Sequence, residues 1–255
     1  MKRKICLICQ PCGLGDIFYL QKIAKTYYDR GYEIWWPVIH EFEFLNDYIP
    51  WINWVSWNDK IIKLTSPPFG DDVSFPHKEY YNYNNAHIFT DDFVYINGFY
   101  RIPPGKLCMP YKYEACDLDG NDWYNYFNFN RNKQKEEKLY NALGLHKNEE
   151  YVLVNRLFQT RPTVNFYSNI SIDTLSYGKT VVNWTIHDDY TPFDWCKVIE
   201  NASSIVTIDT SIQYIIEVLS DKKATDYICY LRGGRDTYNN IHFLFKTPWN
   251  YINNY

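Results

Sequence analysis

The chain lacks any apolar run of about 18 residues, the length that a membrane-spanning helix needs. It also lacks an excess of positive charge: its formal net charge is -4, which argues against a nucleic-acid footprint over the whole surface but leaves room for a local basic groove. The basic start, Met1 to Lys4, is followed by too short an apolar stretch for a signal peptide. We therefore expect a cytoplasmic protein without a transmembrane segment.

The cysteines are odd in number, seven, and come without a secretory context, which indicates free thiols. Cys6, Cys9 and Cys12 have a spacing that iron–sulfur proteins place on a loop around the metal. Here two of the three fall inside a predicted strand, and Asp16 stands where the pattern would continue. We interpret these cysteines as small buried apolar residues and expect no metal site.

Aromatic residues are abundant, at 19% of a 255-residue chain. Such side chains line carbohydrate-binding and base-stacking sites, but compositional bias in the encoding genome also produces them. Because they are spread over the whole sequence, we favour compositional bias. The length suits one large domain or two smaller ones, each with its own core.

The beginning of the chain predicts a strand, a loop, a helix and a second strand. Ile5–Cys9 is a short apolar run that suits a buried parallel strand. Apolar residues then recur at helical spacing from 17 to 28, Gly31 ends the helix, and Ile34–Val38 is the next strand. The loop at 12–16 lies at the carboxyl end of the first strand, where open α/β sheets bind ligands.

Asp16 ends this loop and begins the predicted helix. The glycines at 13 and 15 allow another molecule to approach the backbone closely. A carboxylate at a helix start is favoured by the helix dipole, stays ionised, and can accept a proton from a substrate hydroxyl. The alternative is that the glycines only make a tight turn and Asp16 only caps the helix. The third glycine of a dinucleotide-binding fingerprint is missing, which argues against that ligand.

A second α/β segment begins at about residue 151. We predict its strands at Tyr151–Asn155, Thr180–Trp184, Ser204–Ile208 and Tyr227–Leu231, and its helices at Phe193–Ala202 and Ile212–Leu219. A charged stretch at 133–143 predicts a helix with a solvated face, closed by Gly144. The sequence therefore predicts an α/β fold with two Rossmann-like lobes facing a central cleft.

Asp209-Thr210-Ser211 lies at a junction between a predicted strand and a predicted helix of the second lobe. Hydroxyls and backbone N–H groups at such a junction suit a phosphate. Glu217, two turns into the following helix, can reach a ribose hydroxyl. The alternative is that Asp209 and Thr210 cap the helix and Glu217 is a solvated helix residue.

Several cationic residues follow the other strands of this lobe. Arg156 and Arg161, after its first strand, can neutralise a diphosphate. His187, beside two aspartates, either bonds a phosphate or sugar hydroxyl or is a plain loop histidine. Arg232 and Arg235 flank a glycine pair that predicts a flexible surface loop, from which they either touch phosphate or only meet solvent.

Two stretches of the chain resemble a known family. Gly13-Leu14-Gly15-Asp16, followed by an amphipathic helix, resembles the amino-terminal start of the heptosyltransferase-like (family 9) GT-B glycosyltransferases. The stretch from Asp194 to Leu219 resembles the helix, strand, Asp-[Ser/Thr]-[Gly/Ser] and helix of their carboxyl lobe. Two departures stand out: the family's histidine after this pattern falls on Tyr214, and the chain is short for a GT-B enzyme.

The resemblance implies an inverting, metal-independent glycosyltransferase of glycan biosynthesis. Such an enzyme moves a sugar from a nucleotide-diphosphate donor to a hydroxyl acceptor, such as a glycan, a lipid-linked glycan or a glycoconjugate, and uses no cofactor. The resemblance implies Asp16 as the general base. The implied donor-binding residues are Gly15, Arg156, Arg161, His187, Asp209, Thr210, Ser211 and Glu217.

The implied organisation has four parts. We expect an acceptor-side lobe at 1–115, a linker and helix at 116–150, a nucleotide-sugar-binding lobe at 151–240, and a tail at 241–255 that packs back. The polar linker contains Asp117-Leu118-Asp119, which we interpret as a turn and not as a metal motif. Two alternatives stay open: a glycosyltransferase of modified DNA bases, which the acidic net charge disfavours, and a catalytically silent nucleotide-binding protein of the same fold.

Overall fold

The computed structural model describes residues 3–57, 61–63, 74–76, 87–98, 102–146, 149–160, 163–170, 178–186 and 189–253. The chain divides into two compact units, Met1–Asn130 and Arg131–Tyr255. The division falls inside the segment that the sequence predicts as linker and helix. Over the same ranges, no helix combines the length and the apolar character that crossing a bilayer requires.

The first unit is built on a sheet with the order β3-β2-β1-β7-β6. Its described strands are β1 (Ile5–Cys9), β2 (Glu33–Val38), β3 (Asn53–Ser56), β4 (Ile61–Lys63), β5 (Ser74–Pro76), β6 (Ile88–Phe89) and β7 (Phe93–Asn97). β1 pairs in parallel with β2 and with β7, β2 pairs in parallel with β3, and β6 adds an antiparallel edge. All five residues of β1 are buried, as expected for the apolar central strand of a parallel sheet. β4 and β5 form a separate antiparallel pair.

The helices of this unit follow the strands. They are α1 (Leu14–Tyr19), α2 (Gln21–Asp29), α3 (Leu45–Tyr48) and α4 (Cys108–Glu114), with 3-10 helices at His40–Phe42 and Trp123–Asn125. The single helix predicted after the first loop is divided at Leu20, whose ψ of 0° differs from the regular helical value of about −42°, although Leu20 N still bonds Asp16 O. α2 buries Ile23, Ala24 and Tyr27, the face that the sequence periodicity indicates.

The second unit has a sheet with the order β11-β8-β12-β13-β14, and all its pairings are parallel. Its strands are β8 (Tyr151–Asn155), β9 (Leu157–Thr160), β10 (Thr163–Phe166), β11 (Thr180–Asn183), β12 (Ser204–Ile208), β13 (Asp226–Tyr230) and β14 (Asn250–Ile252). β9 and β10 form an antiparallel hairpin that directly follows β8. Its helices are α5 (Lys133–Ala142), a 3-10 helix at Pro192–Trp195, α6 (Cys196–Asn201), α7 (Ile212–Val218) and α8 (Gly234–Ile241).

One local prediction in this unit is wrong. The glycine pair at 233 and 234 predicts a flexible loop, but α8 begins at Gly234. Only the first residue of α8 needs the positive φ, 60°, that glycine adopts easily. Hydrogen bonds within the helix, such as Asn240 Nδ2 to the Asp236 carbonyl at 2.8 Å, support the rest.

A titration in the first unit leads to a pH-dependent prediction. Burial lowers the pKa of His87, whose Nδ1 accepts a hydrogen bond from Asn97 N, to about 4. The unfolded chain takes up this proton near pH 6.5, so the free energy of unfolding falls as the pH drops from 6.5 towards 4. With its partial exposure taken into account, the loss is about 2 kcal/mol at most.

The variant His87→Asn keeps an acceptor for Asn97 N and removes the titration. Urea unfolding at pH 7 and at pH 4.5 measures the loss for each protein. We expect a smaller loss on acidification for the variant than for the wild type. An equal loss in both proteins would show that other groups carry the pH dependence.

Candidate functional site

Each sheet reverses its strand order at one place. In the first unit the chain runs from β1 outward to β2 and β3, and later returns to add β7 on the other side of β1. In the second unit β11 lies on one side of β8 and β12 on the other. Open α/β sheets bind ligands outside the carboxyl ends of the strands at such a switch point. The loops that follow β1 and β7, and those that follow β8 and β12, are therefore the expected ligand sites of the two units.

Asp16 lies in the first turn of α1, immediately beyond β1. Gly13 precedes the helix with a φ of +79°, and Gly15 lies half-buried in the first turn. One carboxylate oxygen of Asp16, Oδ1, is 2.9 Å from the ammonium of Lys112, and the carboxylate is 33% exposed. Among the described residues its carboxylate caps no backbone N–H group. The structure therefore favours a paired and partly exposed carboxylate over the simple cap.

Lys112 is the residue that sequence reasoning missed. It comes from α4, and its ammonium contacts three oxygens: Asp16 Oδ1, Gln10 Oε1 at 3.0 Å and the Gly98 carbonyl at 2.9 Å. These contacts match the three donors of an ammonium group. Gln10 and Gly98 follow β1 and β7, so Lys112 joins the two strand ends that define the switch point. Its side chain is only 11% exposed.

Gln10 supports the contacts of Lys112 with Asp16 and Gly98 through hydrogen bonds of its own. Its side-chain Nε2 donates to the backbone carbonyl of Cys12 at 2.5 Å. The backbone carbonyl of Gln10 accepts from Trp36 Nε1 at 3.0 Å. Gln10 is 2% exposed. Gly98 packs so closely on the Gln10 side chain that a Cβ there would overlap it. The loop that carries Asp16 is therefore fixed by buried hydrogen bonds.

In the second unit, Asn155 bridges the switch point. It ends β8, and its Nδ2 donates to Thr207 Oγ1 on β12 and to Thr210 Oγ1 just beyond it, both at 3.1 Å. Ser211 follows at the start of α7, and within the described part of the chain its hydroxyl has no hydrogen-bond partner. The structure thus brings Thr210 and Ser211 to the edge that their positions in the sequence predict.

Arg156 lies beside Asn155, at the same edge. Its guanidinium is 5.9 Å from the centroid of Phe166, and its Nη2 donates to the Ile170 carbonyl at 3.4 Å. Its Nε is buried and has no hydrogen-bond partner among the described residues. Arg161 and His187, the other two cationic candidates, lie outside the described residues.

Asp209 and Arg232 form a pair across the ends of β12 and β13. Asp209 Oδ1 accepts from the Arg232 backbone N–H at 2.7 Å and from its Nε at 3.1 Å, and Arg232 Nη2 donates to the Asp209 carbonyl at 2.6 Å. Burial raises the pKa of Asp209, and the charge and hydrogen bonds of Arg232 oppose that rise. Both groups belong to the carboxyl edge of the sheet, next to Thr210.

Glu217 and Tyr214 lie further along α7. Both oxygens of Glu217 accept backbone N–H groups of the tail, from Lys246 at 2.7 Å and from Thr247 at 3.0 Å. Glu217 therefore anchors the returning tail. Tyr214 is buried and meets the ring of Phe245 edge to face at 5.0 Å. A packed phenol thus occupies the place where the resembling family has an imidazole.

Two of the three amino-terminal cysteines are buried, as the sequence predicts. Cys6 and Cys9 are buried in β1, and burial raises the pKa of the Cys9 thiol to about 12. The thiolate, which is the form that binds metals, is disfavoured there. No group of three metal-ligating side chains occurs within the ranges that the structure describes.

No protein family model matches the chain, and no curated protein sequence is significantly similar to it. Among solved structures, the chain is similar to the glycosyl transferase family 9 protein of Veillonella parvula. The TM-score is 0.56, with 7% identity over 99% of this chain and 87% of that chain. The chain also matches the iron-containing dodecameric glycosyltransferase TibC of enterotoxigenic E. coli, at a TM-score of 0.47 and 9% identity, over 100% of this chain and 63% of that one.

The similarity to the Veillonella protein concerns the fold. It confirms the resemblance to family 9 at that level, and with it the predicted α/β class with Rossmann-like units of the GT-B type. The roles of the individual residues remain predictions.

The loop that carries Asp16 gives a prediction on stability. A Cβ at Gly13 (φ +79°) would lie 2.5 Å from Asp16 Oδ2, whereas a Cβ at Gly31 (φ +83°) meets nothing within 4 Å. Alanine at either position pays for a left-handed backbone, about 1–2 kcal/mol. We expect Gly13→Ala to cost about 1 kcal/mol more than Gly31→Ala, because Asp16 has to move. Urea unfolding measures both, and in a protein that already carries Asp16→Ala the extra cost of Gly13→Ala should disappear; equal costs of the two glycine variants in the wild-type background would refute the close contact.

The Lys112 contacts give a second prediction. Lys112→Met leaves the buried Gln10 side chain and Asp16 without their cation, and we expect the free energy of unfolding to fall by about 2 kcal/mol. Lys106→Met, on the same segment, removes an exposed pair with Glu114 and should change stability little. Chemical denaturation of both variants tests this expectation, and a similar small effect for both would show that Lys112 does not hold the loop.

Proposed function

We propose that the protein is a glycosyltransferase that moves a sugar from a nucleotide-diphosphate donor to a hydroxyl acceptor with inversion at the sugar carbon. The observation that carries the proposal is the fold similarity over 99% of the chain to a family 9 glycosyl transferase. The polar residues at the two switch points support it, since an acidic group lies at one and hydroxyls with guanidinium groups lie at the other.

In this proposal Asp16 is the general base. Its carboxylate takes the proton of the acceptor hydroxyl, and the hydroxyl oxygen attacks the anomeric carbon of the donor sugar. The bond from that carbon to the diphosphate oxygen breaks, and the nucleoside diphosphate leaves with the negative charge. Lys112 holds Oδ1 at 2.9 Å, so Oδ2 is the oxygen that we assign to the proton transfer. A single displacement of this kind inverts the sugar carbon and needs no covalent enzyme intermediate.

The donor is assigned to the second unit. Thr210 and Ser211 present hydroxyls for the diphosphate, and Arg156 supplies a positive charge on the neighbouring strand end. We carry Gly15, Arg161, His187 and Asp209 over from the family resemblance as members of the donor site. Glu217 keeps its assignment to the nucleoside, for which carboxylate lone pairs remain beside the two backbone N–H groups that it accepts. Positive charge from the protein stabilises the leaving group, so the proposed reaction is independent of metal.

The donor assignment predicts selective stabilisation by one nucleotide. We expect one of UDP, GDP, ADP, CMP and dTDP, alone or as its sugar conjugate, to raise the melting temperature at millimolar concentration. Thr210→Ala and Ser211→Ala should reduce this shift. Thr225→Ala, which deletes an exposed hydroxyl before β13 at the opposite edge of the sheet, is the matched control and should keep it. If no nucleotide shifts the wild type, the donor assignment fails.

The base assignment is tested with the donor found in this way. Asp16→Asn should bind the donor like the wild type but transfer sugar at least about 100-fold more slowly, because a general base contributes that much or more. Asp29→Asn, an exposed carboxylate on α2, is the control. Near wild-type transfer by Asp16→Asn would exclude this carboxylate as the base. Donor binding without turnover on any acceptor, and without an effect of Asp16→Asn, would instead favour the silent nucleotide-binding alternative.

A further inference from the structure

Arg232 is held more firmly than any role assigned above requires. It follows β13, and both its backbone N–H and its Nε donate to the same oxygen of Asp209, at 2.7 and 3.1 Å. Its Nη2 donates to the Asp209 carbonyl at 2.6 Å. The guanidinium also lies over the ring of Phe158, 4.4 Å from its centroid. Contacts from two sides therefore fix both the position and the orientation of its plane.

The pair is built on a buried anchor. The Asp209 side chain is 8% exposed, while that of Arg232 is 31% exposed. A carboxylate so deeply placed needs its partner, because a buried charge without one is costly. Because leaving the Asp209 carboxylate unpaired would be costly, the guanidinium of Arg232 is kept beside it, at the carboxyl edge of the sheet.

The guanidinium of Arg232 has N–H groups left to donate to a ligand. A guanidinium has five N–H donors, and its contacts with Asp209 use one on Nε and one on Nη2. Both donors of Nη1 and the second one of Nη2 have no partner in the part of the chain that the structure describes. Nη1 and Nη2 form the end of the fork that binds a carboxylate or phosphate through two parallel hydrogen bonds.

The location of the fork fits a phosphate-bearing ligand. β13 pairs with β12, and Thr210 and Ser211 follow directly after Asp209 at the end of β12. Arg156 follows β8 on the other side of β12. Arg156 and Arg232 together carry one more charge than Asp209 neutralises, so these strand ends favour an anion.

We propose that Arg232 binds the diphosphate of the nucleotide ligand through its Nη1–Nη2 edge, and that Asp209 acts only through Arg232. Asp209 is then a positioning residue and does not touch the ligand, since its carboxylate would repel a diphosphate. The inference rests on the proposed function for the nucleotide ligand. It adds a binding residue that the resemblance did not supply, and it changes the role of Asp209.

The test compares a nucleoside with its diphosphate. Calorimetry uses the nucleoside diphosphate that stabilises the wild type most, the matching nucleoside, and inorganic pyrophosphate. Arg232→Gln should raise the Kd of the nucleoside diphosphate and of pyrophosphate roughly tenfold or more, as expected for the loss of charged hydrogen bonds. The Kd of the nucleoside should change less than about twofold. Lys223→Gln, the control, removes one positive charge from an exposed side chain before β13, at the opposite edge of the sheet, and should leave the binding of all three ligands unchanged.

Two further variants keep the proposal testable if Arg232→Gln folds poorly. Arg232→Lys keeps the charge but loses the fork, and should show a smaller loss that is again confined to the diphosphate and pyrophosphate. Asp209→Ala removes the carboxylate that holds the guanidinium. It should weaken binding of the nucleoside diphosphate without changing the affinity for the nucleoside. If Asp209→Ala instead strengthens binding of the nucleoside diphosphate, repulsion between the Asp209 carboxylate and the ligand outweighs its effect on Arg232, and the positioning role is wrong.

The outcomes separate this inference from the proposed function. Equal losses for nucleoside and diphosphate in the Arg232 variants, or no loss for either, would overturn the inference while the nucleotide assignment stands. Arg232-dependent binding of pyrophosphate with no binding of any nucleotide would support the phosphate role and overturn the donor assignment. If the wild type binds neither, both fail.

Discussion

Parallel pairing on both sides of β1 and of β8 is the constraint on which the rest of the structure depends. A parallel neighbour must start again from the same edge, so its connection crosses a face of the sheet and covers it with helix. The central strand is then buried on both faces, which explains why β1 is apolar throughout and β8 is apolar up to its last residue, Asn155. In each sheet the carboxyl ends of the parallel strands lie at the same edge, and the polar residues described above follow them there.

Two charged side chains at these edges, Lys112 and Arg232, are paired with carboxylates in the absence of a ligand. Lys112 satisfies all its donors on Asp16, Gln10 and Gly98, and Arg232 is fastened to Asp209 and Phe158. Partly buried pairs are screened less by water and salt than exposed ones, so each pair keeps a defined geometry. In both units the pairing restrains the group assigned to the chemistry, which reduces the reorganisation needed at the moment of reaction.

The sequence predicts those features that depend on neighbours along the chain. β1, β8 and β12 lie at the predicted bounds, and the loops that carry Asp16 and Thr210 follow from strand and helix periodicity alone. Contacts made across the sheet leave no local pattern. Lys112 contacts Gln10 from 102 residues away, and it comes from a segment with no motif. The sequence alone does not decide whether Arg232 contacts a phosphate or lies in a plain surface loop, because its partner Asp209 precedes it by 23 residues.

The exchange of histidine for Tyr214 bears on how the second unit handles charge. An imidazole changes its charge near neutral pH, whereas a guanidinium stays protonated at all ordinary pH values. Tyr214 is buried against Phe245, so it supplies packing and no charge. The cations that the structure describes at this edge are Arg156 and Arg232. An edge charged by arginines therefore keeps its positive charge as the pH moves through neutrality, which a histidine at the same place would not do.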